Sequence, residues 1–168
     1  MLKKIGLALV VIGLAAVIVR TLVLKLASDE TKIRWAIHDA AEGFGDARTD
    51  PVLAVLARDF RDEPAGYTRE DLRGALAALF FSEKDPATKG FPYRCEIAAD
   101  AIRIEVVEGE PDRATVSLAA TIVDVRGGTR RDAWSFEFEG RMEERDDGWC
   151  FVKSAHTTTS GSLRLRAR

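Results

Sequence analysis

From Arg113 to His156 the sequence alternates apolar and polar residues through three consecutive segments, each set off by turn-forming residues. A period of two belongs to strands with one buried face, and a helix cannot satisfy it. Ala114, Val116, Leu118, Ala120 and Ile122 share one face of the first segment, against Thr115, Ser117 and Thr121 on the other. In the second, Trp134, Phe136, Phe138 and Met142 oppose Ser135, Glu137, Glu139, Arg141 and Glu143, and in the third Trp149 and Phe151 keep phase. Gly127-Gly128 and Asp146-Asp147-Gly148 supply hairpin chemistry between them. The expectation is a three-stranded antiparallel meander with a bulky inner face and a solvated outer one.

The strand entering this meander changes parity. Tyr93, Cys95 and Ile97 are in one phase and Ile102, Ile104 and Val106 in the other, so a one-residue β-bulge within 98–101 is predicted to return both halves to one face. Upstream the period becomes helical. Ile33, Ala36, Ile37, Ala40, Ala41 and Phe44 form one stripe of a helix over 28–44, with Trp35 opposite. His38 falls on its flank, reading as a surface residue with catalysis as the alternative. Asp50 as cap and Pro51 at the first helical position predict a short second helix to about Arg58. A brief strand at Asp59-Phe60-Arg61 and a turn at 63–66 follow, and Thr68 caps a third helix bearing Leu72, Ala75, Leu76, Leu79 and Phe80 on one face. The fold class is α+β: three helices on a strongly curved, mainly antiparallel sheet that closes like a cone.

The first 27 residues differ from the rest. Lys3 and Lys4 precede an apolar run from Ile5 to Val19, and Arg20 and Lys25 interrupt its continuation to Leu26. Fifteen apolar residues fall short of the roughly 20 needed to span, but Arg20 can extend its stem along lipid and let the helix continue. No small-x-small cleavage site follows Val19, which favours an uncleaved anchor over the alternative of a cleaved signal. The flanking charges predict a single span in the cytoplasmic (inner) membrane, with the C-terminal domain outside. Residues 1–27 are then the anchor, 28–159 one folded domain, and 160–168 a basic tail.

Composition excludes several functions. A net charge of −2 argues against a dedicated nucleic-acid surface. Two cysteines and two histidines without repeated spacing make neither a zinc cluster nor a disulfide scaffold. No phosphate-binding loop, Cys/His pair or metal-binding helix motif occurs, so neither cofactor nor metal is expected. In chain-order pairing, Cys95 and Cys150 lie three strands apart, about 14 Å at ~4.8 Å per strand, too far for a disulfide.

The helix ending Gly43-Phe44-Gly45-Asp46, the segment from Leu53 ending Ala57-Arg58-Asp59-Phe60, the third helix and the last strand Gly148-Trp149-Cys150-Phe151-Val152 together resemble the nuclear transport factor 2-like superfamily from Ser28 to about Thr159. That superfamily includes ketosteroid isomerases, scytalone dehydratases, SnoaL-like polyketide cyclases and members that only bind or assemble. The resemblance implies that any acid or base would sit inside the cone, where Asp59, Asp100, Tyr67, Tyr93 and His156 are the available polar residues. Trp134, Phe136, Phe138, Met142, Trp149 and Phe151 would line a pocket or fill it. Val123, Val125, Cys150 and Val152 interrupt the outer face and read as a partner surface, for a homodimer or another envelope protein. The expected function is a membrane-anchored, non-catalytic binding or assembly domain; the alternative is an isomerase- or dehydratase-like enzyme, or a carrier, for an apolar small molecule.

Overall fold

The computed structural model describes residues 27–63 and 65–163. The chain divides into two compact units, Met1–Lys32 and Ile33–Arg168, and the packing below is that of the second. The predicted anchor lies outside the described residues. Among those described, no helix is long and apolar enough to cross a membrane.

Among the described residues three α-helices, α1 (Asp29–Gly45), α2 (Thr49–Ala54) and α3 (Arg69–Ser82), accompany six strands, β1 (Leu56–Asp62), β2 (Tyr93–Ile97), β3 (Arg103–Val106), β4 (Arg113–Asp124), β5 (Arg131–Arg145) and β6 (Gly148–Gly161). The predicted meander is β4, β5 and β6, antiparallel throughout. Gly148, at φ 98°, follows the Asp146-Asp147 turn in a conformation that disfavours any residue with a Cβ. Thr68 caps α3 as expected, in a reciprocal arrangement. Its hydroxyl accepts from the Asp71 backbone N–H while the Asp71 carboxylate accepts from the Thr68 backbone N–H.

Four local expectations are corrected. The N-cap of α2 is Arg48, and Asp50 lies in the first turn beyond it. The helix stops at Ala54 because the chain then joins the sheet: β1 is seven residues long and pairs in parallel with β6, making the sheet mixed, in the order β1-β6-β5-β4-β2. The parity change after Ile97 is a full interruption by a 3-10 turn at Ala99–Ala101, after which β3 returns to β4. Cys95 opposite Ile122, Ile97 opposite Ala120 and Ile104 opposite Val116 then share one face, which is what the bulge was expected to achieve. Finally, β6 extends to Gly161, two residues into the segment expected to be tail.

The core occupies the sheet's inner face beneath Ile33 and Ile37 of α1 and Phe60 of β1, with Val116, Met142, Trp149 and Phe151 fully enclosed. Val123, Cys150 and Val152, expected on a partner surface, are buried within the domain, and only Val125 is half-exposed. A register shift explains one of these. The β5–β6 ladder slips between Arg141 and Met142, leaving Val152 as the extra residue between Phe151 and Lys153. A bulge reverses which face a side chain meets. The β1 strand alongside β6 encloses the region further, with Leu56 registered on Phe151.

Candidate active site on the open end of the inner face

Burial along β5 and β6 is graded. Met142 and Gly140 are buried, whereas Phe138, Phe136 and Trp134 are only half-buried; on β6, Phe151 and Ser154 are buried and His156 and Thr158 are exposed. The expected filling by aromatic residues is therefore real at one end of the inner face only. At the other end Trp134 and Phe136 lie with centroids 4.4 Å apart, and His156 meets both edge-on, at 5.7 and 6.4 Å. The Trp134 indole N–H donates to the Thr158 hydroxyl at 3.0 Å, fixing the larger ring.

Asp62, a residue not singled out from the sequence, meets this corner. It is the last residue of β1, two positions after the core residue Phe60, and so shares its face. The parallel register sets it opposite Ser154. Backbone bonds hold it there: its N–H donates to the Tyr67 carbonyl at 2.8 Å, and its carbonyl accepts from Gly66 at 2.7 Å. The Ser154 hydroxyl donates to Asp62 Oδ1 at 3.1 Å, and His156 Nδ1 lies 3.8 Å from the same oxygen. Asp62 is 6% exposed, and its Oδ2 is buried with no donor among the described residues. Of the pair, His156 is the member that reaches solvent, with 38% of its side chain exposed against 8% for Asp62.

The sequence signals for this trio were present but weak. Asp62 is a carboxylate in the apolar phase of a short strand, and Ser154 and His156 share a phase with each other. Their meeting depends on a pairing that joins residues 92 apart.

Of the residues expected to be catalytic, only His156 belongs to this site. Asp59 is exposed and accepts from both terminal guanidinium nitrogens of Arg145, at 2.6 and 3.2 Å, whose hydrogen bonds hold its carboxyl below the usual carboxylate range. Asp100 is exposed on the 3-10 turn. Tyr67 is 53% exposed and contributes its backbone carbonyl to Asp62. Tyr93 is buried elsewhere, in an aromatic cluster with Phe91, Phe80 and Phe44. Its hydroxyl accepts from Arg126 at 3.2 Å, and burial pushes its pKa up. Arg126 also pairs with Asp124 at 3.1 Å and with buried Glu83, tying the 83–92 loop to the turn between β4 and β5. This cluster is structural, because its charges are spent on one another.

His38 lines a different feature, an open groove of about 570 Å³ between α1 and β2 with Glu42, Cys95, Glu96 and Ile97. Among the described residues no three metal-ligating side chains converge.

No family profile matches the sequence, and no curated protein matches it. Solved structures do match in fold. A Nostoc punctiforme protein of unknown function with a cystatin-like fold aligns at 17% identity and a TM-score of 0.60, over 81% of this chain and 94% of its own. A nuclear transport factor 2-like protein with a cystatin-like fold from Novosphingobium aromaticivorans gives 17% and 0.61, over 91% and 94%. A candidate scytalone dehydratase from the same organism gives 16% and 0.61, over 80% and 89%. The domain therefore has the nuclear transport factor 2-like, cystatin-like fold. Identities this low show the fold alone.

Proposed function

We propose that the domain takes up a small, largely apolar molecule at the open end of the sheet's inner face and that His156 and Asp62 exchange a proton with it. The observation that carries this reading is the convergence of Asp62, Ser154 and His156 beside half-exposed Trp134 and Phe136. Aromatic walls with a few converging polar groups are what small-molecule sites are made of. His156 turns Nδ1 toward Asp62, which leaves Nε2 to accept or return a ligand proton. The Asp62 carboxylate, 3.8 Å from Nδ1, stabilises the imidazolium by its charge as it forms. Isomerisation or dehydration asks little more of a protein than such a placed acid and base. The likeness to a candidate scytalone dehydratase is compatible with this chemistry.

The apolar run from Ile5 to Val19 behind Lys3 and Lys4 supports a single-span tether in the cytoplasmic membrane, with the domain on its outer side. A second reading, the non-catalytic binding or assembly domain, draws on one feature. Gly74, Ala77, Ala78 and Phe81 follow helical spacing on α3 and are all exposed, Phe81 by 71%.

Native mass spectrometry of the full-length chain released from detergent distinguishes them. The expected result is one small molecule per chain, discarded by His156→Ala or Phe136→Ala. A ligand-free chain whose assemblies dissociate on Phe81→Ser would refute the acid–base reading and support the second.

A further inference from the structure

We infer that the molecule held at this site carries a protonated amine on an apolar body; this rests on the small-molecule reading of the same site. Asp62 is more than nine-tenths buried and keeps one oxygen, Oδ2, without a donor among the described residues. Its other oxygen is served by Ser154, and its ion-pair neighbour among the described residues is His156 at 3.8 Å, beyond hydrogen-bond reach. A buried carboxylate with an unsatisfied oxygen is destabilising until something supplies a donor and an opposing charge.

Three ligand chemistries can be ranked by how they meet that demand. A ketone or hydrocarbon brings no donor and leaves Oδ2 as it is. A hydroxyl brings a donor without charge. An ammonium brings both, and charge-assisted hydrogen bonds are roughly twice as strong as neutral ones. The walls favour the same choice, since the π-faces of Trp and Phe attract cations within about 6 Å, Trp most strongly. Trp134 is half-exposed, held by Thr158, and stacked beside Phe136 at the corner that His156 shares with Asp62. An anionic ligand meets the Asp62 carboxylate as a like charge and is rejected.

The test uses the full chain, labelled with 5-fluorotryptophan, in phosphatidylcholine nanodiscs. The Trp134 fluorine resonance, assigned through Trp134→Phe, reports binding, and free ligand is measured by dialysis against empty discs. Three probes, 2-naphthylmethylammonium, 2-naphthylmethanol and 2-methylnaphthalene, share one ring system with an anionic control, 2-naphthoate. The expected result is that the ammonium binds at least about tenfold more tightly than the alcohol, and that Asp62→Asn removes the difference. Equal affinity for all three, or tighter binding of 2-naphthoate than of the ammonium, overturns the amine assignment while the small-molecule site stands. If no probe moves the Trp134 resonance, the site reading itself fails. Where Asp62→Asn does not fold, the wild-type ranking of the three probes decides.

Discussion

Replacing Gly140 by alanine tests the packing that separates the filled end of the inner face from the open one. A Cβ at Gly140 would lie 2.6 Å from Cδ1 and Cε1 of Phe151 and 3.0 Å from Cε1 of Phe138. Carbon atoms at rest sit ~3.5–4.0 Å apart, so the Phe151 ring must retreat by about 1 Å. It has little room to do so, being 4% exposed and packed edge-on against Phe138 with centroids 5.1 Å apart. Overpacking of this kind costs about 1–3 kcal/mol. For a domain of roughly 130 residues unfolding with ~2.1 cal/mol/K per residue, 1 kcal/mol corresponds to about 4 °C, so Tm should fall by ~4–11 °C. Gly74 is the control, because a Cβ there meets nothing within 4 Å. It sits inside α3, where Gly→Ala should raise stability by ~0.5–1 kcal/mol, or about 2–4 °C. Circular dichroism melts of the two variants should therefore move in opposite directions. Phe151→Leu in the Gly140→Ala background should recover part of the loss, since the two sites share a contact. A Gly140→Ala protein as stable as the wild type would show that Phe151 does not pack over this position, and the β5–β6 register argued above would fail with it.

Arg126→Ala should destabilise by about 2–3 kcal/mol in chemical denaturation, because it strands the buried Glu83 carboxylate, with Arg126's own partial exposure keeping the loss below that of a fully buried pair. Cys95 and Cys150 should both appear as free thiols by mass spectrometry, even under oxidising conditions, since they stand on β2 and β6, three strands apart in the sheet. Cys95 should also resist alkylation at pH 8 until the protein is denatured, because burial pushes its pKa up to about 11. Asp71 is held below its usual range by hydrogen bonds from the Thr68 side chain and backbone. Its contribution is therefore complete above the unfolded carboxylate pKa and lost as pH falls through the folded one. Denaturation of Asp71→Asn and wild type should differ at pH 7 and converge in that acid range; a difference that persists at the lowest pH would contradict the capping assignment.

The elements whose signals are local were legible from the sequence. The two-residue alternation of 113–156 depends only on each strand having one buried face, and it specified β4, β5 and β6 with their turns. The Thr68 cap and the stripe holding Ile33 and Ile37 are likewise set by neighbours within a turn or two. Alternation also identified a bulky inner face, but it could not say how far the helices would cover it. Trp134, Phe136 and Phe138 read the same as Met142 in the pattern, yet only Met142 is enclosed. Tertiary structure decided the rest through pairings between distant segments. A bulge at Val152 reversed its expected face, because a shift of one residue turns a side chain over and nothing in the strand's own composition records it. The pairing of β1 with β6 brought Asp62 to Ser154 and His156 across the sheet. A carboxylate at the end of a short strand has no chemistry of its own to announce; burial beside a serine hydroxyl and an imidazole gives it one, and burial is a property of the folded chain.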